Sequence, residues 1–168
     1  AVSKLASVWD LMGKFAPVTA GMKLDVRKTT KLTLGWTDPM PDVMRDKWLD
    51  NFWKLEGLRG IKFSRARMPI DAVDDKLRMI TLVDAADDMI MVGIWVGFLR
   101  KDGTWSCQHL IGRCFLTDEN GTIPKSELQA LTGGANLQCI VRKALGDWVL
   151  VSIVAGDSEI ALCWATTE

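Results

Sequence analysis

The 168 residues are 48% hydrophobic and 25% charged, with a mean hydropathy of +0.10. They suit one good-sized globular domain, alone or with a small appendage, and exclude disordered, collagen-like and low-complexity chains. The formal charge of zero averages two unlike parts: residues 1–70 hold 13 basic and 7 acidic side chains (net +6), residues 71–168 hold 8 and 14 (net −6). A basic part suited to a polyanion is therefore followed by an acidic part with carboxylates to spare.

From the start of the chain, Val2, Leu5, Ala6, Trp9 and Met12 recur at helical spacing, and Gly13 offers a stop. A second helix is expected from about Val18 to Leu34. It carries Lys23, Arg27, Lys28 and Lys31 on one broad face. Pro39 and Pro41 make residues 35–41 a turn. A third helix follows from Asp42 to about Leu55, with Val43, Trp48, Phe52 and Leu55 toward a core. Gly57 and Gly60 punctuate its end.

The pattern then turns to strands: Leu77–Asp84, Met89–Arg100 and Thr104–Phe115, the last two joined by a Lys101-Asp102-Gly103 hairpin. Pro124 suits the first turn of a long helix reaching Leu145. Trp148–Val154 reads as a fourth strand and Ser158–Trp164 as a last helix. The order β-β-β-α-β-α predicts a mixed sheet, three antiparallel strands and a crossover into a fourth, with helices packed on it. Gly133-Gly134 inside the long helix costs about 2 kcal/mol relative to two alanines, which points to close helix-on-sheet approach.

Cys107, Cys114, Cys139 and Cys163 with the lone His109 fit no paired-ligand zinc spacing. No charged-then-apolar leader opens the chain, so reduced thiols used as small core hydrophobes are expected. The chain starts at Ala1 without an initiator Met, which reads as a processed or excised piece. The longest uncharged apolar run, Met89–Leu99, is far short of the ~20 residues that span a bilayer. An intracellular chain with no membrane partner is expected. Eight Trp and no Tyr fit a Trp-rich core as well as a base-stacking surface. His109 reads as a partly exposed strand residue, and Asp74-Asp75 and Asp87-Asp88 as solvated turn charges.

Three carboxylates stand out by position. Asp84 ends the first strand, Glu127 falls in the first turn of the long helix, and Asp157 follows the fourth strand. If strands one and four are neighbours, both aspartates lie at the carboxyl edge of the sheet, where open α/β sheets place ligands. The helix start would bring Glu127 over them. Such a cluster is an oxygen cage for Mg²⁺, and two such ions serve phosphodiester hydrolysis. Each acid alone also reads as a cap, a turn residue or a partner of the helix dipole. Asp84-Ala85-Ala86 and Gly156-Asp157-Ser158 lack the Asp-Ser/Thr-Gly shape of an aspartic protease.

Five ordered blocks resemble one family, the Pol polyprotein of Pao/BEL-type LTR retrotransposons. These are Ser7-Val8-Trp9-Asp10 with Gly13, Ala16-Pro17-Val18-Thr19 and Lys23; Leu34-Gly35-Trp36-Thr37-Asp38-Pro39; Val83-Asp84-Ala85; Thr122-Ile123-Pro124-Lys125-Ser126-Glu127-Leu128; and Gly156-Asp157-Ser158 with Leu162 and Trp164. The chain departs from the family at Leu11 (Pro expected) and Ala86 (Ser expected), and keeps only Arg113, beside Gly112, of a basic pair in the third strand.

The resemblance implies an α/β, RNase H-like mixed sheet over residues 71–168, incomplete at its C-terminus, preceded by a small, mainly helical connection or thumb-like segment over 1–70. A fourth acid of the RNase H set is expected beyond Glu168. By the same resemblance Asp84, Glu127 and Asp157 are catalytic, metal-binding acids that cut the RNA strand of RNA–DNA hybrids with two Mg²⁺ or Mn²⁺ ions. Lys23, Arg27, Lys28, Lys31, Lys62, Arg65, Arg67 and Arg113 become candidates for contacting the nucleic-acid backbone. The implied partners are the hybrid and the rest of the Pol polyprotein, in a cytoplasmic retroelement particle or the nucleus, with oligomerisation left open. The alternative is a catalytically inactive RNase H-like scaffold or nucleic-acid-holding module.

Overall fold

In a computed structural model of the chain, residues 10, 12–35, 37–64 and 67–166 are described. The expected helix over residues 2–12 falls almost wholly outside them, as do Trp36, Arg65 and Glu168. The chain divides into two compact units, Ala1–Phe63 and Ser64–Glu168.

The first unit is helical. Helix α1 (Ala16–Thr30) starts two residues before the expected Val18, because Pro17 is tolerated in a first turn. The Asp10 carboxylate also accepts from the backbone N–H of Lys14 (2.9 Å) and of Phe15 (2.7 Å), just ahead of the helix. It stops before the expected Leu34. The hydroxyls of Thr29 and Thr30 bond back to the carbonyls of Asp25 (2.6 Å) and Arg27 (2.9 Å), and Thr33 turns to φ 49°. Helix α2 (Asp42–Gly57) packs on α1 through Trp48 and Asn51. Trp48 Nε1 donates to Thr29 Oγ1 at 3.3 Å, and Asn51 Nδ2 donates to Asp25 Oδ2 at 2.6 Å. Val43, expected in the core, is 77% exposed. Lying five residues before Trp48, it sits about 140° around the helix from it. Asn51, three residues after, shares the buried face.

The second unit holds a four-stranded mixed sheet. Its strands are β1 (Leu77–Ala85), β2 (Met89–Leu99), β3 (Trp105–Leu116) and β4 (Val149–Ala155), in the order β3-β2-β1-β4. β1–β2 and β2–β3 are antiparallel; β1–β4 is parallel. Helix α3 (Ile123–Leu145) makes the crossover into β4, and α4 (Glu159–Thr166) closes the described chain. This is the α/β, RNase H-like arrangement expected, and strands one and four are neighbours.

Alternation decides which face is buried. Leu77, Met79, Thr81 and Val83 of β1, with Ile90, Val92, Ile94, Val96 and Phe98 of β2, point to α3. α3 returns Ser126, Ala130, Gly134, Leu137 and Val141, a stripe at helical spacing.

The same stripe corrects the cysteine reading. Of the four cysteines only Cys114 is buried. Cys139 is two residues off the packed Leu137, and Cys163 two off the buried Ala161, so each faces about 200° away from its core neighbour. Cys107 shares its strand face with the exposed Trp105. The Trp-rich core is corrected too. Of the described tryptophans only Trp48 is buried; Trp53, Trp105, Trp148 and Trp164 are exposed. Trp95 is half-buried across Gly93, on the sheet face away from α3, with His109 edge-on to it at 5.0 Å. No helix among the described residues is long and apolar enough to cross a membrane.

Candidate metal centre

Asp84 is the penultimate residue of β1, where pairing with β2 is about to end at the Ala85–Ile90 pair. Parallel pairing of β1 with β4 runs to Leu82–Ala155, so β4 delivers Gly156-Asp157 to the same end of the sheet. Ser158 then caps α4, its Oγ accepting from the Ala161 N–H at 3.3 Å. Asp157 is thereby held between a strand end and a capped helix. Glu127 is the fifth residue of α3, not a first-turn residue as expected, since the helix already begins at Ile123. Helical side chains lean toward the N-terminus, and Glu127 leans to the strand ends.

Ligand oxygens of Asp84, Glu127 and Asp157 all lie within 4.8 Å of one another. Asp84 and Asp157 are exposed and Glu127 is half-buried. Among the described residues none of the three has a hydrogen-bond or ion-pair partner, whereas Asp118, just past the end of β3, pairs with Lys125 at 3.0 Å. Burial first, then the charges of Asp157 and Asp84, push the Glu127 carboxyl above the ordinary glutamate value. Three hard oxygen donors with no balancing cation fit a divalent ion such as Mg²⁺ or Mn²⁺. Two cavities of this unit, of about 570 and 350 Å³, are lined by other residues, and Asp84 and Asp157 are exposed. That suits an extended polymer better than a small molecule, which needs enclosure.

The close packing beneath the acids involves glycine. The sequence pointed to Gly133-Gly134, and it is Gly134 that lies hard against β1, at Val83. Gly156, directly before Asp157, also abuts Val83, a packing role the sequence analysis missed. A glycine between strand end and acid was the available signal.

The candidate basic residues are not gathered in the same way. Lys23 and Arg27 are half-buried and Lys28 exposed on α1; Lys31 follows it and Lys62 is exposed, all five in the first unit. Arg65 lies outside the described residues. In the second unit Arg67 is half-buried, its Nη1 donating to the His109 carbonyl at 3.3 Å. Arg113 is exposed on β3. The register runs Arg113–Val92–Val83 across the sheet, which puts Arg113 level with Val83, the residue before Asp84, over two strand spacings or roughly 10 Å.

The sequence profile of the Pao retrotransposon-like RNaseH-like domain matches residues 1–155. No curated protein matches the chain.

Proposed function

The chain belongs to the Pao retrotransposon-like RNase H-like domain family, and on that premise we propose that it is a ribonuclease H acting on the RNA strand of RNA–DNA hybrids during reverse transcription. The observation that carries this reading is the convergence of Asp84, Glu127 and Asp157 within 4.8 Å at the carboxyl end of a mixed sheet. These three residues would hold the divalent cations. When bound, two Mg²⁺ or Mn²⁺ ions would activate a water and stabilise the leaving oxygen of a phosphodiester.

The chain's own groups do the rest. Asp84 and Asp157, rigidly placed by paired strands, supply fixed negative charge. Glu127 keeps its proton to higher pH than an ordinary glutamate does, so the fully charged site exists only above its raised value. Lys23, Arg27, Lys28, Lys31, Lys62, Arg65, Arg67 and Arg113 contact phosphates and position the hybrid without reading its sequence. Residues 1–70 act as the connection segment ahead of the nuclease over 71–168, within a Pol polyprotein.

The test is hydrolysis of a labelled RNA–DNA hybrid with Mg²⁺ or Mn²⁺, wild type against Asp84→Asn. Metal-dependent cutting of the RNA strand, lost in the variant, supports the enzyme. Hybrid binding without cutting by the wild type would reject it in favour of a nucleic-acid-holding module.

A further inference from the structure

Val83 stands one residue before Asp84, is 7% exposed, and meets a glycine with each of its two methyl groups. A Cβ placed on Gly134 of α3 would lie 2.3 Å from Val83 Cγ1. A Cβ on Gly156 would lie 2.9 Å from Val83 Cγ2 and 3.4 Å from the Val83 carbonyl oxygen. Carbon atoms pack at about 3.5–4.0 Å, so both elements come this near only because they present a hydrogen. Rotation of Val83 gives no relief, since its β-branched side chain is stiff and each methyl already faces one of the glycines.

The two glycines lie on the elements that carry the other two acids. Gly156 immediately precedes Asp157. Gly134 comes seven residues after Glu127, close to two full turns, and so lies along the same line of the helix. We infer that Val83 is the gauge of the metal centre: α3 and the β4–α4 turn close on its methyls, and these contacts set how far Glu127 and Asp157 stand from Asp84. Val83, Gly134 and Gly156 are positioning residues, and the inference rests on reading the three acids as a divalent-cation site. Neither glycine has a positive φ, so alanine at either place is a matter of space alone. At Gly134 alanine would otherwise favour the helix. With it, α3 must retreat by roughly 1 Å to reach ordinary contact, too far for a small ion that demands near-ideal oxygen geometry.

Mn²⁺ binding to the metal-free protein, followed by electron paramagnetic resonance, tests this. Gly156→Ala and Gly134→Ala are each expected to lower Mn²⁺ affinity by about 10–100-fold. Adding Val83→Ala to either chain removes the obstructing methyl and is expected to restore most of the affinity. A merely structural defect would instead accumulate with the second substitution. Wild-type affinity in both single variants, or no rescue by Val83→Ala, overturns the inference. If Gly134→Ala fails to fold, the Gly156 pair decides, because that residue lies outside the regular elements. If the wild type holds no Mn²⁺, the metal reading falls and the gauge is judged from crystals of metal-free Gly156→Ala. A separation of the Asp84 and Asp157 carboxylates beyond 4.8 Å supports it, and an unchanged one overturns it.

Discussion

The helical unit ties α1 to α2 with two side-chain hydrogen bonds beside a few buried apolar residues, whereas the sheet unit closes on a larger apolar cluster. In the first, Asn51 is buried and bonded to Asp25, and the Trp48 indole N–H is bonded to Thr29. In the second, Leu77, Met79, Ile94, Val96 and Phe98 form one continuous cluster under α3. The difference shows where uncompensated charge is tolerated. An apolar core needs no polar partners, and its stability leaves room for three clustered carboxylates at its rim.

Substitutions can break that contrast, beginning with the largest effect. Asp84→Asn should reduce metal-dependent hydrolysis by at least about a thousandfold. It should leave thermal stability equal to or above that of the wild type, because it removes repulsion; a large loss of stability would mean that Asp84 is part of the framework. Ile94, fully enclosed, should cost about 3 kcal/mol as alanine in denaturant unfolding. Asn51→Ala should cost about 1–3 kcal/mol, since it leaves the Asp25 carboxylate without its buried partner. An effect of Asn51→Ala near zero would show that the polar tie between α1 and α2 is decorative.

Two smaller effects sharpen the contrast. Lys28→Ala should weaken hybrid binding and lower the slope of log K against log salt by about one unit. An unchanged slope would remove α1 from the interface.

Glu127 titrates higher in the folded than in the unfolded chain, so between the two values the folded state binds more protons. Metal-free protein should therefore lose stability as pH climbs from the ordinary glutamate range through the raised value. Glu127→Gln should abolish that slope and raise the neutral-pH melting temperature of the metal-free protein. An identical pH profile in the variant would dissociate Glu127 from the cluster.

Most of the sheet unit was legible before its structure. β-rich runs, a Lys-Asp-Gly hairpin and a proline-opened helix placed each strand end within a residue, and the crossover required strand four to run parallel to a partner. The strand-end position of Asp84 and Asp157 was legible for the same reason. Side-chain burial was less so. Cys139, Cys163 and Val43 were assigned inward by residue type, but angular position on the helix overrode hydrophobicity. The tryptophans followed the same rule: Trp95 and Trp105 lie on the sheet face away from α3, so their size placed them nowhere near its core.

By itself, the sequence determined the order of elements, the basic-to-acidic division and the family blocks, because those depend on neighbours along the chain. Tertiary structure alone decided that Asp84, Glu127 and Asp157 meet, since they belong to three elements whose approach is set by the parallel β1–β4 register and by contacts of α3 with β1. It also decided how near they come. Gly134 and Gly156 are remote from Val83 in sequence, and only folding reveals that the space one valine leaves for two glycines governs the spacing of the acids.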